Sequence, residues 1–442
     1  MHEHDSPHYG CIGVGVGPAN LSLASLLHGD QSIPSLFLEQ KEYFSWHDGQ
    51  QLPGTTLQVS MLKDLVSLAD PTNRFSFLSY LHAHGKIYHF INAQFDAMPR
   101  QEYRNYLRWA SEQNENVLFN EKVLSVDFDG DSSGTFVVDT DRRRLTADNI
   151  SVGIGTSPWI PPVAPAGPHD DQFHVCDIVD KGRGLGGKRV CVVGGGQSGA
   201  EVFLDLISRP EGERPRRVSW VSRRRNYFPM DDSPFTNDFY MPSYSDYFAR
   251  LDRTTREQLN AQHVLTSDGI SEATLREVYQ QIYVHRFVEG DRDLVALYPG
   301  HSVAKVERGA VGDWSVEIRS GDHPGTATRF ETDVVVWATG FRPATPAFLE
   351  PLAGRLEREG EEYRIDDSFA VRWDGPGDRN IFVHNAAQGQ RGLADRNLSL
   401  VAWRSQRIAD RMRGVRTDEP ADSFLDWAPK AHPSEAAQGV GG

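Results

Sequence analysis

Gly13, Gly15 and Gly17 end one short apolar run, and Gly194, Gly196 and Gly199 end another. Each cluster falls where a buried strand would turn into a helix, a geometry that lets backbone N–H groups at the helix start approach a pyrophosphate. One such turn is a weak signal, because ordinary loops also gather glycine. Two in strand–turn–helix context point to two dinucleotides and to electron transfer between them. The tips of the following strands make the two sites unequal. Glu39 ends the strand after the first turn, where a carboxylate accepts hydrogen bonds from an unphosphorylated ribose diol. Arg223, Arg224 and Arg225 end the strand after the second, where guanidinium groups favour a ribose 2′-phosphate of about two negative charges. FAD is expected in the first site and NADPH in the second.

The elements that position these residues read as α/β, with two Rossmann-like dinucleotide-binding domains and a small, mainly helical substrate-binding insert. Tyr9 to Val14, Asn20 to His28 and Ser35 to Glu39 make the first strand–helix–strand unit. Lys188 to Val193, Ser198 to Ile207 and Arg217 to Ser222 make the second. Helices are expected from Ser245 to His263 and from Glu272 to Val288, strands at Asp333 to Trp337 and Asn380 to His384, and a closing helix from Leu398 to Arg413. The FAD-binding domain thus spans residues 1–160, completed by 333–415. The NADPH-binding domain spans 161–230, completed by 289–332. The insert covers 231–288, and 416–442 reads as a disordered tail, as do the first seven or so residues.

Composition narrows the class. The chain of 442 residues is 39% apolar and 24% charged, with a formal net charge of -15 that disfavours nucleic acid and anionic lipid. No apolar run approaches the roughly 20 residues of a membrane span, and the polar N-terminus shows no signal-peptide pattern, so a cytoplasmic protein is expected. Cys11, Cys176 and Cys191 have neither disulfide nor zinc spacing, and no metal is expected. Cys11 and Cys191 sit inside the apolar strands, as small core residues would.

In this order the pieces resemble the flavin-dependent N-hydroxylating monooxygenases of siderophore biosynthesis, the lysine N6- and ornithine N5-hydroxylases, over nearly the whole chain. The most specific parts are Phe44-Ser-Trp46-His47, Leu57-Gln58-Val-Ser60-Met-Leu-Lys63-Asp64-Leu65, Asp70-Pro71-Thr-Asn73 and Gly194 to Glu201. Ala338-Thr339-Gly340-Phe341 and Leu398-Ser399 to Arg404 complete the set. In that family the first turn ends in Pro-x-Asn, here Pro18 and Asn20, instead of a third glycine. The resemblance implies that Trp46, His47 and Gln58 line the flavin, with Thr339, Gly340, Leu398 and Ser399 also at the cofactor. It implies that Gln197 and Ser198 face NADPH, and that Lys63 lies near a substrate carboxylate. Asn237, Ser267 and Asp268 join Lys63 as candidate substrate-binding residues. The same resemblance implies that NADPH reduces FAD and that a C4a-hydroperoxyflavin then oxidises the terminal amine, so no side chain is expected to act as catalytic acid, base or nucleophile.

Two departures bear on that amine. Where ornithine enzymes carry a second asparagine before Tyr-Ser-Val-Val, this chain reads Thr266-Ser-Asp-Gly-Ile-Ser271, closer to the lysine branch. Where lysine and diamine enzymes often have Thr-His-Gly, it reads Gln390-Arg-Gly-Leu-Ala-Asp395. L-Lysine is the expected substrate beside O2, with cadaverine, putrescine or diaminopropane as alternatives, and ornithine or an uncoupled NADPH oxidase behind them. Sulfur- or ketone-oxidising flavin monooxygenases carry a Phe-x-Gly-x-x-x-His signature that is missing here. A homo-oligomer, dimer or tetramer, is left open.

Overall fold

The computed structural model describes residues 6–130, 134–167, 169–309, 311–323, 325–416 and 423–427. Its first domain is built on a parallel five-stranded sheet, in the spatial order Asn380–Val383, Asn149–Val152, Cys11–Val14, Ser35–Leu38, Val117–Leu118. The three inner strands are covered on both faces, which is why they read as short apolar runs without alternation. Helices Pro18–Leu26, Arg100–Gln113 and Val401–Arg413 pack on this domain's core. A second sheet, antiparallel except at its edge strand His8–Tyr9, runs Arg144–Ala147, Thr135–Thr140, Val123–Asp129.

The second domain repeats the plan. Its parallel sheet runs Gln172–His174, Val334–Trp337, Arg189–Val193, Arg217–Val221, Val295–Tyr298, beside an antiparallel meander of His301–Arg308, Trp314–Ser320 and Ala327–Thr332. This corrects one boundary. Val334–Trp337, expected to complete the first domain, pairs with Arg189–Val193 in the second, because four consecutive buried residues need neighbours on both edges and both faces. The crossing back lies later, where Phe341–Pro343 pairs antiparallel with Thr156–Pro158.

The insert is helical, with two adjustments. The expected helix from Ser245 to His263 is two helices, Pro242–Ala249 and Arg253–Gln262, because Asp252 leaves helical geometry and caps the second by accepting from Thr255 N at 3.1 Å. The stretch Thr266 to Ser271 is not all loop: Leu265–Asp268 forms one helical turn before Ser271 caps Glu272–Tyr283. The chain then widens into a π turn over Val284–Val288.

Residues 1–5 and most of 416–442 lie outside the described residues. Within the expected tail, however, 423–427 is placed, and Trp427 packs its ring on Tyr244 (4.8 Å), Phe239 (5.8 Å) and Tyr247 (6.0 Å) of the insert. Cys11 and Cys191 are fully buried, and burial pushes both thiols up to about 12. No helix among the described residues is long and apolar enough to cross a membrane.

Candidate active site

The first glycine turn is a cradle that side chains would fill. Gly15 has φ +86°, and a Cβ there would stand 2.8 Å from the Gly153 carbonyl oxygen. Gly17 caps helix Pro18–Leu26 without any side-chain hydrogen bond, and Pro18 enters at the first turn, so the N–H groups that open the helix are left for an anion. Gly13 lies against the Phe37 ring, with no room for a side chain. Glu39 accepts from Val16 N at 3.0 Å and Lys41 N at 3.1 Å, which holds its carboxylate beside the turn with lone pairs to spare for a ribose diol.

Asn20 explains why this turn needs no third glycine. It is fully buried, donating to the Val14, Gly15 and Ser151 carbonyls at 3.1, 2.8 and 3.2 Å, while Ser151 Oγ donates back to its Oδ1 at 2.7 Å. Its amide therefore shapes the turn from inside the fold. Because the Ser151 proton goes to Asn20, His384 Nε2 must donate to Ser151 Oγ across 3.0 Å, leaving Nδ1 as an acceptor. Burial, aided by Arg404, keeps this imidazole neutral. His384 Nδ1 has no partner among the described residues and belongs to a residue lining a cavity of about 860 Å3. The cavity opens at the carboxyl ends of the first sheet, between Ile154, Phe341, His384 and the insert's Arg253 and Glu257. A buried orphan acceptor there fits a hydroxyl-bearing cofactor.

The second turn is tighter. Gly194 has φ +142°, and a Cβ would stand 2.0 Å from the Ala338 carbonyl oxygen. Trp220 Nε1 donates to the Gly194 carbonyl at 2.7 Å, and Gly199 lets the helix pass against that same carbonyl. Gly196 begins helix Gln197–Ser208 with no side-chain cap, and Ser198 stands half-buried in its first turn. The three arginines part company. Arg223 is exposed and has no partner among the described residues, Arg225 pairs with Asp322 at 2.8 Å, and Arg224 Nη1 donates to the Gly195 and Asp268 carbonyls at 3.0 and 2.7 Å.

A polar chain missed in the sequence joins all three parts of the molecule. Arg100, from the first domain, makes a bidentate pair with Glu201 of the second at 2.9 and 3.1 Å, both half-buried or deeper. Gln197 Nε2 donates to Glu201 Oε1 at 3.0 Å and to Thr274 Oγ1 at 3.2 Å, and its Oε1 accepts from Ser271 N at 2.8 Å. Gln197 thus ties the second turn to the insert. Nearby, Gln50 Nε2 donates to Nδ1 of the exposed His47 at 2.9 Å, so that ring nitrogen carries no proton. His47 contacts the Trp46 ring at 5.0 Å and Phe341 at 5.9 Å, so this neutral imidazole sits where the domains meet. Gly340 reinforces that junction, its carbonyl accepting from Trp159 N and bonding His174 Nε2, both at 3.0 Å, and Thr339 Oγ1 donates to the Trp159 carbonyl. Gln58 is exposed.

The candidate substrate residues fall into two groups. Lys63 Nζ donates to Ser399 Oγ at 3.2 Å and lies 5.9 Å from the Tyr240 ring centroid, with no carboxylate partner among the described residues. Ser399 in turn donates to Asn397 Oδ1 at 2.7 Å, in the 3-10 turn Leu398–Leu400. Tyr240, buried, donates from its hydroxyl to the Thr266 carbonyl at 2.8 Å. Partial burial lowers the Lys63 ammonium below the ordinary lysine range. Asn237 is exposed and donates to the Asp232 carbonyl at 2.8 Å, while Ser267 Oγ bonds Asp268 Oδ1 at 3.2 Å. The Gln390 to Asp395 stretch is scaffold: Arg391 pairs with Asp246 of the insert and Asp395 with Arg404, both at 2.9 Å. Among the described residues no group of three or more His, Cys, Asp or Glu could hold a metal ion.

The profile of the L-lysine 6-monooxygenase/L-ornithine 5-monooxygenase family matches residues 7–343. The L-lysine N6-monooxygenase of Escherichia coli is 38% identical over 408 residues, 91% of this chain and 94% of that one. The chain belongs to this family. Its fold extends across the family's substrates. The FAD-bound cadaverine monooxygenase of the desferrioxamine pathway from Erwinia amylovora has a TM-score of 0.89 at 26% identity, covering 96% of this chain and 99% of that one. An ornithine N-hydroxylase from Kutzneria sp. 744, solved with reduced FAD, NADP+ and L-ornithine, has a TM-score of 0.84 at 28% identity, covering 92% and 99%. The protein is a flavin-dependent N-hydroxylating monooxygenase that uses FAD and NADPH, of a family that hydroxylates lysine, ornithine or diamines for siderophores.

Trp427 gives this site an expected dependence on the far end of the chain. Its ring backs Phe239 and Tyr244, and Phe239 precedes the Tyr240 that faces Lys63. Aromatic contacts contribute about 0.5–1.5 kcal/mol each. Trp427→Ala should therefore raise KM for the amine about two- to ten-fold, leave the rate of NADPH-driven flavin reduction unchanged, and be largely rescued by Trp427→Phe. Stopped-flow reduction and steady-state hydroxylation separate the two effects; equal losses in both would refute this support role.

Proposed function

We propose that the enzyme hydroxylates the terminal amine of L-lysine to N6-hydroxylysine, for a hydroxamate siderophore. The observation that carries this reading is Lys63: a half-buried ammonium, oriented by Ser399, with no carboxylate of its own among the described residues. Removing a cation from water without a counter-charge is unfavourable, so the position suits a ligand that brings one. An α-amino acid does; a diamine does not. The diamine reading keeps one specific support, the TM-score of 0.89 with a cadaverine monooxygenase.

The residues divide the work. Bound reduced flavin supplies activated oxygen after hydride from NADPH. The protein's part is to place the amine, exclude water and keep the domains in register. The first turn and Glu39 would hold the FAD adenylate, Arg223 the 2′-phosphate of NADPH, and Lys63 the substrate carboxylate, so that the distant amine projects toward the flavin. That amine must be neutral, and from a reference pKa of ~10.4 this costs roughly 3 kcal/mol near pH 8. A pocket that disfavours the ammonium form meets part of that cost.

The decisive assay measures hydroxylated amine formed per NADPH consumed with lysine, ornithine, cadaverine, putrescine and diaminopropane. Lysine should give the highest coupled kcat/KM. A diamine above lysine would replace the proposed substrate, and hydrogen peroxide alone with every amine would end the hydroxylase reading.

A further inference from the structure

The two glycine turns hold one backbone carbonyl with different side chains. Strand pairing sets Val14 opposite Leu38 and Val193 opposite Val221, and Gly15 N and Gly194 N donate alike to the Leu38 and Val221 carbonyls at 2.8 and 2.9 Å. Gly15 thus corresponds to Gly194, Val16 to Gly195, Asn20 to Gly199 and Glu39 to Ser222. In the first turn the Gly15 carbonyl accepts from Asn20 Nδ2 at 2.8 Å. In the second, a glycine stands in the place of Asn20, and the Gly194 carbonyl accepts instead from the indole Nε1 of Trp220 at 2.7 Å. Gly199 clears the way, since a Cβ there would stand 2.4 Å from that carbonyl oxygen and 3.4 Å from Nε1. Trp220 is fully buried between the rings of Phe203 at 4.7 Å and Tyr227 at 3.9 Å, so its N–H has one direction.

A trans peptide points its N–H opposite to its C=O. With the Gly194 carbonyl drawn inward to Trp220, the Gly195 N–H faces away from the indole, and it has no partner among the described residues. The corresponding Val16 N–H is taken by Glu39 at 3.0 Å. Ser222, in the place of Glu39, is buried and uncharged, and its Oγ accepts from Arg224 N at 3.1 Å. The second turn therefore keeps open, beside the strand tip that carries the arginines, a backbone donor that the first turn occupies. We propose that Trp220 is a positioning residue for NADPH: it fixes the Gly194–Gly195 peptide so that this N–H meets the phosphorylated adenosine ribose. A backbone N–H offered to a phosphate makes a charge-assisted hydrogen bond, and a peptide already locked in place makes it without reorganisation.

Calorimetric titration of the oxidised, FAD-loaded enzyme tests this with NADP+ and with adenosine 2′,5′-bisphosphate, which carries the phosphorylated ribose but no nicotinamide. Trp220→Phe keeps a ring in the stack and removes the N–H. It should weaken both ligands by the same factor, about three- to ten-fold, the contribution of one hydrogen bond. Phe203→Leu disturbs the same stack but leaves the N–H, so it should lower Tm and hold both affinities within about two-fold of the wild type. Unchanged affinities in Trp220→Phe, a loss confined to NADP+, or an equal loss in Phe203→Leu would overturn the proposal. Should Trp220→Phe fail to retain FAD, the benzothiophene isostere of tryptophan at this position, which keeps the shape and lacks only the N–H, decides instead. The same loss of both ligands supports the proposal, and wild-type affinity overturns it.

Discussion

Lys63→Ala is expected to raise KM for L-lysine about 100-fold, while NADPH-driven flavin reduction stays within about two-fold of the wild type. A partly desolvated ammonium that meets a carboxylate contributes about 2–4 kcal/mol, the range seen when one partner of such a pair is removed. Only substrate binding is lost, so the effect belongs in KM. Cadaverine has no carboxylate, and its KM should change little. The pH dependence adds a second reading of the same contact. Lys63 is charged below its pKa, which burial holds under the ordinary lysine value. As pH rises through that lowered pKa the ammonium is lost, and with it the grip on lysine. Deprotonation of the substrate amine works the other way, so kcat/KM for lysine should climb from about pH 7 and then fall on an alkaline limb that lies lower than an unperturbed lysine ammonium would give. Lys63→Arg should push that limb upward, since guanidinium stays protonated. An alkaline limb of the same position with cadaverine, or with Lys63→Arg, would detach it from Lys63.

The parts readable in the sequence were those whose partners are near in the chain or are the cofactor itself. Gly15, Gly194, Glu39 and the arginine trio each follow from a strand–turn–helix unit of about 30 residues, and the structure holds each such unit together. What stayed hidden depends on distant pairing. Val334–Trp337 looks alike as an apolar run in either domain, and only the neighbour Arg189–Val193 assigns it. Asp252 resembles any helix-surface carboxylate until its cap to Thr255 is seen. Gln197 and Glu201 lie inside a recognisable motif, yet their partners Arg100, Ser271 and Thr274 come from other parts of the chain. Trp427 stands in a Pro- and Ala-rich end that reads as tail, and only its contacts on the insert give it a role.

The three arginines at the second strand tip, equivalent in sequence, should separate sharply by coenzyme. Arg223 is exposed and unpaired among the described residues, so a 2′-phosphate would be its natural counter-charge. Charge-assisted hydrogen bonds of about 1.5–3 kcal/mol make Arg223→Ala raise KM for NADPH roughly ten- to 100-fold, and leave KM for NADH nearly as it was. Arg225 already pairs with Asp322, at an exposed site where such pairs contribute little, and Arg225→Ala should change KM for NADPH less than three-fold. Arg224 differs in kind. Its guanidinium joins the Gly195 carbonyl to the Asp268 carbonyl of the insert, so Arg224→Ala should weaken NADPH and NADH together and raise peroxide release, because the turn and the insert lose their common tie. Steady-state KM for both coenzymes across the three variants checks the ordering. If Arg225→Ala erased the NADPH preference and Arg223→Ala did not, the 2′-phosphate would have to lie on the Asp322 side of the strand, and NADPH would displace an existing ion pair instead of meeting a free cation.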